Sequence, residues 1–285
     1  MPILLAPAKI NLTLEVLARR DDGYHGIRSV MVPLDLADEL AIERANRFSF
    51  SCDVAELDGE SNLAAAAARA LGTPAARIAL HKRIPVQAGL GGGSSDAAAV
   101  LRAAMSGVFG DGPPRDWLTI ARELGSDVPF FLAGTAALVE GTGERVTPAG
   151  ALPRWHALIV KPPVAVSTAH AYETLDARPR PRRSRSDSVS LAALEALQRA
   201  DFDSVEALLQ NDFHDAITQQ VPEVAGTVEA LRAAGARSAL LAGSGSCVFT
   251  LAPHRARVDA IRERLDLPNA YACYTCTFAD TPDWR

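Results

Sequence analysis

A glycine-rich segment followed by serines carries the clearest chemical signal in the sequence. Residues 85–95 read Pro-Val-Gln-Ala-Gly-Leu-Gly-Gly-Gly-Ser-Ser and lead into an alanine-rich stretch that favours a helix. Glycines allow several backbone N–H groups to converge on one point, and the first turn of a helix leaves its N–H groups unpaired with a partial positive charge. The segment therefore predicts a phosphate-binding loop. The alternative is that Ser94, Ser95 and Asp96 only cap a helix.

Two common nucleotide-binding motifs are excluded by the residues of this loop. A Walker A loop needs a lysine before its final Ser or Thr, and no lysine follows these glycines. A dinucleotide-binding fingerprint places its third glycine where Ser94 stands, and it needs an acidic strand-end residue about 20 positions later, where this chain has a Gly-Asp-Gly-Pro-Pro turn. The loop is therefore a phosphate cradle of another type, built from glycine and serine backbone and hydroxyl groups.

A lysine and an aspartate outside the loop have the properties of a catalytic pair. The alternation of apolar and polar residues at 3–18 predicts a half-buried strand with Lys9, Asn11 and Thr13 on one face. A lysine on the inner face of a strand needs an anionic partner. The candidate is Asp127, in a Gly-Ser-Asp-Val-Pro loop where a short carboxylate can face a cleft. An isolated Asp at such a position is also typical of a loop or helix cap.

The composition limits the classes of partner. The 285 residues contain 29 Lys and Arg against 34 Asp and Glu, and the net charge of −5 argues against a general nucleic-acid or membrane binder. No stretch approaches the roughly 18 apolar residues that a membrane span needs, and the first residues do not resemble a signal peptide, so we expect a cytoplasmic protein.

Cys273 and Cys276 lie in a β-branched and aromatic stretch, which favours a terminal strand over a metal or redox site.

The elements that must position these residues follow from periodicity and capping signals. In the first half we expect short strands across 30–58, a helix at 62–71, a strand at 76–84, helices at 95–108 and 116–124, a loop at 125–131 and a strand near 136–140. An apolar strand at 156–160 restarts the pattern, and it is followed by helices at 191–199, 204–209 and 222–234 and a glycine turn at 242–246. The restart predicts two domains, 1–154 and 155–285. Residues 177–190, rich in arginine and proline, predict a solvated mobile loop.

Three separated segments, in this order, resemble the three motifs of the GHMP kinase superfamily. They are the Pro-Ala-Lys-Ile-Asn strand at 7–11, the glycine-serine loop at 85–98 and the Gly-Ser-Gly turn at 243–245. The segments Arg-Asp-Asp-Gly-Tyr-His at 20–25 and Gly-Ser-Asp-Val-Pro-Phe-Phe at 125–131 most resemble members of the non-mevalonate isoprenoid pathway. The resemblance implies an α+β, two-domain GHMP kinase fold, with an N-terminal ribosomal-protein-S5-like domain and a C-terminal ferredoxin-like α/β sandwich.

The resemblance also implies a reaction, in which ATP phosphorylates the 2-hydroxyl of a cytidine diphosphate-linked methylerythritol. Lys9 and Asp127 are then the catalytic residues, which orient or deprotonate the acceptor hydroxyl and offset developing charge. The implied ATP-binding residues are Pro85, Gly89, Leu90, Gly91, Gly92, Gly93, Ser94, Ser95, Gly243, Ser244 and Gly245. The implied acceptor-binding residues are Asn11, Tyr24, His25 and Tyr172, with the aromatic rings placed to stack on cytosine.

The expected cofactor is Mg²⁺, because metal ions bridge phosphate oxygens in such transfers. Asp96 and Ser95 are candidates, but the sequence leaves the metal ligands unassigned. The expected partners are small molecules, with no nucleic acid and no membrane, and the expected state is a monomer, with a weak dimer as the alternative.

Two other functions stay open at this point. One is a kinase of the same fold acting on homoserine or mevalonate, which would give the Tyr24–His25 pair nothing to stack on. A Tyr–His pair by itself is also typical of core packing. The other is a non-catalytic nucleotide- or RNA-binding module, against which the net charge and the presence of both Lys9 and Asp127 argue.

Overall fold

The structure, a computed structural model, describes residues 3–21, 23–72, 75–109, 115–178 and 186–280. Its strands are β1 (Ile3–Arg19), β2 (His25–Arg44), β3 (Ser49–Cys52), β4 (Ala76–His81), β5 (Ala137–Gly141), β6 (Arg145–Pro148), β7 (His156–Lys161), β8 (Gln210–Asn211), β9 (Leu240–Leu241), β10 (Val248–Ala252) and β11 (Ala272–Thr277). Its helices are α1 (Leu63–Ala70), α2 (Gly92–Met105), α3 (Trp117–Leu124), α4 (Val128–Ala133), α5 (Thr168–Asp176), α6 (Val189–Gln198), α7 (Phe202–Ala207), α8 (His214–Gln220), α9 (Pro222–Ala233) and α10 (Arg255–Arg264).

Two long antiparallel strands, β1 and β2, form the centre of the first sheet. The sequence predicted several short strands at 30–58, but β2 runs unbroken from His25 to Arg44. Its first half pairs with β5 and its second half with β4, so one continuous strand serves two neighbours. Pro33 lies opposite Lys9, beside a register shift in β1, where a missing N–H is tolerated.

The first strand is buried on both faces, so the prediction of a half-buried strand was wrong. Side chains from Leu4 to Val16 are almost all inaccessible to solvent, and the polar ones among them form hydrogen bonds or ion pairs. One face of the sheet is covered by α1 to α4, and the other face packs against the second sheet. Polar side chains on such a strand must find partners inside the protein, which brings Lys9 and Asn11 into defined positions.

The second sheet has the strand order β11-β7-β10-β9 and shares an apolar core with the first. Ile10 and Val32 of the first sheet belong to the same buried cluster as Ile159 and Phe249 of the second. A strand bridge between Leu34 and Phe278 joins the two sheets directly. The expected terminal strand with Cys273 and Cys276 is confirmed as β11, and both cysteines are free thiols.

The chain after residue 155 also contributes to the first sheet. The two-residue strand β8 pairs in parallel with β1, with Leu14 opposite Asn211. The division at 154/155 stays a prediction. The structure adds α4, α5, α8 and α10 where no helix was expected, because short helices of six to ten residues give weak periodicity. Residues 179–185 of the arginine-rich segment lie outside the described residues, and in the described part of the chain no helix is long and apolar enough to span a membrane.

The histidine at the start of α8 supports β9. The Nδ1 atom of His214 accepts a hydrogen bond from the Leu241 amide at 3.2 Å, which requires an unprotonated Nδ1. Burial lowers the pKa of His214 below its ordinary value of 6.5. The charge of Asp215 raises the pKa by a smaller amount, and the charge of Arg232 lowers it further. The unfolded chain therefore binds the proton more readily than the folded one, and stability falls as the pH drops below 6.5 toward the lowered pKa.

We expect His214→Gln to reduce the loss of thermal stability between about pH 7.5 and about pH 5, because this proton uptake no longer accompanies unfolding. The measurement is the melting temperature of both proteins across that range. His156 also has a pKa lowered by burial, so His156→Gln serves as the control and should leave the His214 contribution in place. An unchanged pH dependence in His214→Gln would show that the Leu241 contact does not control the titration.

Candidate active site

A single cleft of about 1250 Å³ brings together residues from both halves of the chain. All predicted site residues except Ser95 line it: Lys9, Asn11, Tyr24, His25, Pro85, Gly89, Leu90, Gly91, Gly92, Gly93, Ser94, Asp127, Tyr172, Gly243, Ser244 and Gly245. Ser95 is buried behind this wall, with its hydroxyl in the protein interior. The cleft therefore has a glycine-rich end and an aromatic end, with Lys9 and Asp127 also in its lining.

The glycine loop is itself the beginning of a helix. We expected α2 to start at Ser95, but it starts at Gly92, with Gly91 as its N-cap at a left-handed φ of 74°. Low helix propensity made the glycines look like loop residues, whereas the packing around them fixes the helical conformation. The first intrahelical bond runs from the Ser95 amide to the Gly91 carbonyl, which leaves the amides of residues 92–94 as the donors that an anion can use.

The two glycine turns touch each other so closely that side chains are excluded. A Cβ atom on Gly89 would lie 1.9 Å from the Ala242 carbonyl oxygen, and one on Gly243 would lie 2.7 Å from the Gly89 oxygen and 3.3 Å from Lys9 Nζ. The amide of Cys247 donates to the carbonyl of Ala88 at 3.2 Å. The second turn, which belongs to the second sheet, is thus held directly against the first loop.

Lys9 and Asp127 lie together as expected, with 3.4 Å between Nζ and Oδ2. The lysine side chain is 5% exposed and the aspartate side chain 25%, so the pair is buried on one side and open to the cleft on the other. Lys9 also donates to Asn11 Oδ1 at 2.8 Å, and Asn11 donates to Ser29 Oγ at 2.8 Å. Asn11 therefore orients the ammonium group.

The segment around Asp127 forms a helix start instead of the expected loop. Asp127 is the N-cap residue of α4, but its side chain makes no capping hydrogen bond. Pro129 near the helix start has a φ that suits the first turn. The carboxylate is thus placed by a helix terminus without being used by it, so capping does not account for this residue.

A second buried lysine, Lys82, was not among the expected site residues. Its Nζ lies 2.5 Å from Asp38 Oδ2 and 2.8 Å from Asp96 Oδ2, and all three side chains are at most 6% exposed. Asp38 also accepts from the amides of Arg83 and Ile84, which lead into the glycine loop. The cluster ties α2 to the strand that precedes the loop. The sequence did not predict this ion pair, because Asp38 and Lys82 are 44 residues apart.

Burial and charge shift the titration of this cluster. The net pKa of Asp96 is raised to about 8. Burial is the largest cause of the rise, the charge of Lys82 opposes it, and the charge of Asp38 adds to it. Burial alone would lower the pKa of Lys82, but the two carboxylates raise it above its ordinary value. The sequence suggests Asp96 as a helix cap or a candidate metal ligand. The structure shows it in a buried ion-pair cluster instead.

Aromatic side chains form the other end of the cleft. The ring of His25 stacks on Tyr172 with 5.4 Å between centroids and 15° between planes, and Tyr172 meets the edge of Phe213 at 4.9 Å. His25 Nε2 lies 3.1 Å from Asp176 Oδ2, and Nδ1 lies 3.0 Å from the Leu17 carbonyl oxygen. Tyr24 is 69% exposed, an unusual state for a large ring at the mouth of a cleft. Phe213 and Asp176 were not expected from the sequence.

Comparisons with known proteins agree with this geometry. Residues 61–135 match the family model described as the GHMP kinases N terminal domain, and residues 193–269 match the model described as GHMP kinases C terminal. A homoserine kinase structure from Cytophaga hutchinsonii is 19% identical, with a TM-score of 0.67 over 98% of this chain and 94% of that one. That similarity concerns the fold alone. The expected two-domain GHMP kinase fold is confirmed.

Closer relatives narrow the family. The chain is 42% identical to a 4-diphosphocytidyl-2-C-methyl-D-erythritol kinase of Deinococcus radiodurans, over 90% of this chain and 85% of that protein. It is 43% identical to the protein of the same name from Symbiobacterium thermophilum, over 90% and 93%. A crystal structure of 4-(cytidine 5'-diphospho)-2C-methyl-D-erythritol kinase is 37% identical, with a TM-score of 0.76 over 97% and 98%. The chain therefore belongs to the 4-diphosphocytidyl-2-C-methyl-D-erythritol kinase family of the GHMP kinases.

Proposed function

We propose that the protein transfers the γ-phosphoryl group of ATP to the 2-hydroxyl of 4-(cytidine 5'-diphospho)-2-C-methyl-D-erythritol, giving the 2-phosphate and ADP. The observation that carries the proposal is the Lys9–Asp127 pair, open to a cleft that has a glycine-rich anion site and an exposed aromatic ring in its walls. Family membership supports the same reaction.

The glycine-rich end suits the phosphates of ATP. The amides of residues 92–94 open a 14-residue helix, so the helix dipole and the unpaired N–H groups favour an anion there. Glycines at 89, 91 and 243 keep side chains out of the space between the two turns and Lys9. In this proposal, Pro85 and residues 89–94 bind the phosphates and the adjoining nucleotide, and residues 243–245 close the site from the second sheet.

The Lys9–Asp127 pair suits the chemical step. The bond between the γ-phosphorus and its bridging oxygen breaks, the acceptor oxygen bonds to phosphorus, and the hydroxyl proton passes to the Asp127 carboxylate. Asp127 accepts the hydrogen bond of the attacking hydroxyl, and Lys9 offsets negative charge on the transferring group. Asn11 fixes the lysine, because its amide oxygen accepts from Nζ. Catalysis then consists mainly of positioning and electrostatic stabilisation.

Magnesium fits the oxygen donors of this site only as a partner of the phosphates. The described residues contain no group of three or more His, Cys, Asp or Glu side chains that could hold a metal. Mg²⁺ commonly takes one or two protein oxygens and fills its other positions with phosphate oxygens and water. Ser94 lines the cleft and would supply one protein oxygen, whereas Asp96 is engaged by Lys82. When bound, the ion would neutralise phosphate charge.

The aromatic end suits the cytosine of the acceptor. Tyr24 presents an exposed ring, and a base stacked on it would lose its contact with water. Tyr172 and His25 already stack on each other, so they form a flat wall beside this position. The monomeric state expected from the sequence stays a prediction. The cytoplasmic location expected from the sequence stays a prediction.

We expect Asp127→Asn to lower kcat by about 100-fold or more, because the amide cannot accept the hydroxyl proton. The affinity for ATP should stay within about threefold, because the Asp127 carboxylate acts mainly in the transition state. Steady-state kinetics and binding of an unreactive ATP analogue measure the two effects. Asp116→Asn is the matched control, the same change at the N-cap of α3, where the side chain does accept from the Thr119 amide. If both variants keep full turnover, the Asp127 carboxylate takes no part in the chemical step.

We expect Tyr24→Ala to raise the KM for the cytidine-containing acceptor by about tenfold, since stacking on an aromatic ring contributes about 1–3 kcal/mol per base. Tyr24→Phe keeps the ring and should keep the KM, and the KM for ATP should change in neither variant. Homoserine and mevalonate are assayed in parallel. Turnover of one of them without turnover of the cytidine compound would replace the proposed acceptor.

We expect Gly243→Ala to weaken binding of the ATP analogue by about tenfold or more, because the new Cβ would meet the Gly89 carbonyl and Lys9 and would strain a positive φ. Gly150→Ala is the control, since Gly150 also has a positive φ but its Cβ would meet nothing within 4 Å. Both variants carry the backbone strain, and only the first changes the cleft. Equal affinity of the two variants for the ATP analogue would show that the Gly243 turn is not part of the ATP site.

A further inference from the structure

Asn211 uses every hydrogen-bonding atom of its side chain on main-chain groups of two different segments. Its Nδ2 donates to the carbonyl oxygens of Leu241 and Gly243, each at 2.7 Å, and its Oδ1 accepts from the amide of Phe213 at 2.9 Å. The side chain is 5% exposed and does not line the cleft. The orientation of the amide is determined, because two carbonyls need a donor and the Phe213 N–H needs an acceptor.

One of these segments belongs to the ATP end of the cleft. Gly243 starts the turn that abuts Gly89, and a Cβ atom added to it would lie 3.3 Å from Lys9 Nζ. The strand before this turn, β9, is only two residues long and, among the strands that the structure describes, pairs with β10 alone. A short strand of this kind supplies few ladder bonds, so side-chain bonds to the Leu241 and Gly243 carbonyls carry much of its positioning.

The other segment belongs to the acceptor end. Phe213 meets the edge of Tyr172 at 4.9 Å, and Tyr172 stacks on His25. Phe213 and Tyr172 come from segments that are not neighbours in sequence, and the Phe213 backbone is fixed by the Asn211 oxygen. A shift of Phe213 would therefore move the aromatic wall beside the proposed cytosine position.

We infer that Asn211 is a positioning residue for phosphoryl transfer, which sets the placement of the Gly243 turn relative to the Phe213–Tyr172–His25 stack. The inference rests on the proposed function, in which the Gly243 turn borders ATP and the Phe213–Tyr172–His25 stack borders the acceptor. In-line transfer needs the reacting atoms about 3–3.5 Å apart, and small displacements of either substrate reduce the rate strongly. Asn211 lies in β8, which pairs with β1, the strand that carries Lys9. Its side chain therefore positions the Gly243 turn and the Phe213 segment relative to β1.

The aspartate variant separates the two ends. Asn211→Asp keeps an oxygen for the Phe213 amide and replaces the donor to the two carbonyls with an acceptor. We expect it to lower kcat and weaken binding of the ATP analogue by about tenfold, while the KM for the cytidine-containing acceptor stays within about twofold. Asn211→Ala loses both sets of bonds, and we expect it to lower kcat similarly and also to raise the acceptor KM by about threefold or more.

The control is Val224→Ala, which removes a fully buried side chain of α9 and so destabilises the protein while leaving the three Asn211 hydrogen bonds in place. All three variants are compared at a temperature at which each is folded. If the two Asn211 variants show the same kcat and both KM values as Val224→Ala, Asn211 is only a structural residue and the inference is overturned. The same holds if the Asp variant changes both KM values equally.

A readout independent of the acceptor separates this inference from the proposed function. We expect amide hydrogen exchange at residues 241–247 to accelerate in both Asn211 variants and at Phe213 in the Ala variant alone. If the wild-type protein does not phosphorylate the cytidine-containing acceptor, the proposed function fails, and the exchange pattern still decides whether Asn211 holds the two segments. Unchanged exchange in both variants would overturn the inference whatever the substrate.

Discussion

The Lys9 ammonium group lies where β1, the glycine loop and the turn at 242–246 meet, and its burial constrains all three. A buried cation is stable only with anionic or polar partners, which here are Asp127 and Asn11. The group also needs space, and the absence of a side chain at Gly91 and at Gly243 provides it, since a Cβ there would lie 3.2 Å from Lys9 Cε and 3.3 Å from Nζ. The glycines, the helix start that carries Asp127 and the packing of the second sheet are thus parts of one arrangement.

This arrangement explains why the two sheets share one core. The Gly243 turn reaches the glycine loop only because β9 and β10 pack against the first sheet through residues such as Ile10 and Phe249. A backbone contact as close as that between Gly89 and Ala242 tolerates little movement. The apolar core therefore does more than stabilise the fold, because it holds the amides proposed to bind phosphate and the aromatic rings proposed to border the acceptor at a fixed separation.

The parts of the site that the sequence predicts are those set by local geometry. Glycine spacing before a helix, a lysine on a strand and an Asp in a Gly-Ser-Asp-Val-Pro segment identified Lys9, residues 89–94 and Asp127, all of which line the cleft. What the sequence did not predict depends on contacts between distant segments. The Asp38–Lys82–Asp96 cluster spans 58 residues, and β8 is too short to show any periodicity. The start of α2 was placed too late because glycine has a low intrinsic helix propensity, which tertiary packing overrides here.

The two buried lysines beside the glycine loop differ in how their charge is balanced. Lys82 borders the same cleft but is only 6% exposed and faces two carboxylates, so its charge is balanced within the protein and its effect is structural. Lys9 faces one carboxylate and one amide oxygen among the described residues, and the carboxylate is itself partly open to the cleft. An ammonium group has three N–H donors, so Lys9 has capacity for a further anionic group on the cleft side. Lys82 has two carboxylate partners and Lys9 has one, and this difference explains why Lys82 holds the loop in place while Lys9 is suited to charge that arrives with a substrate.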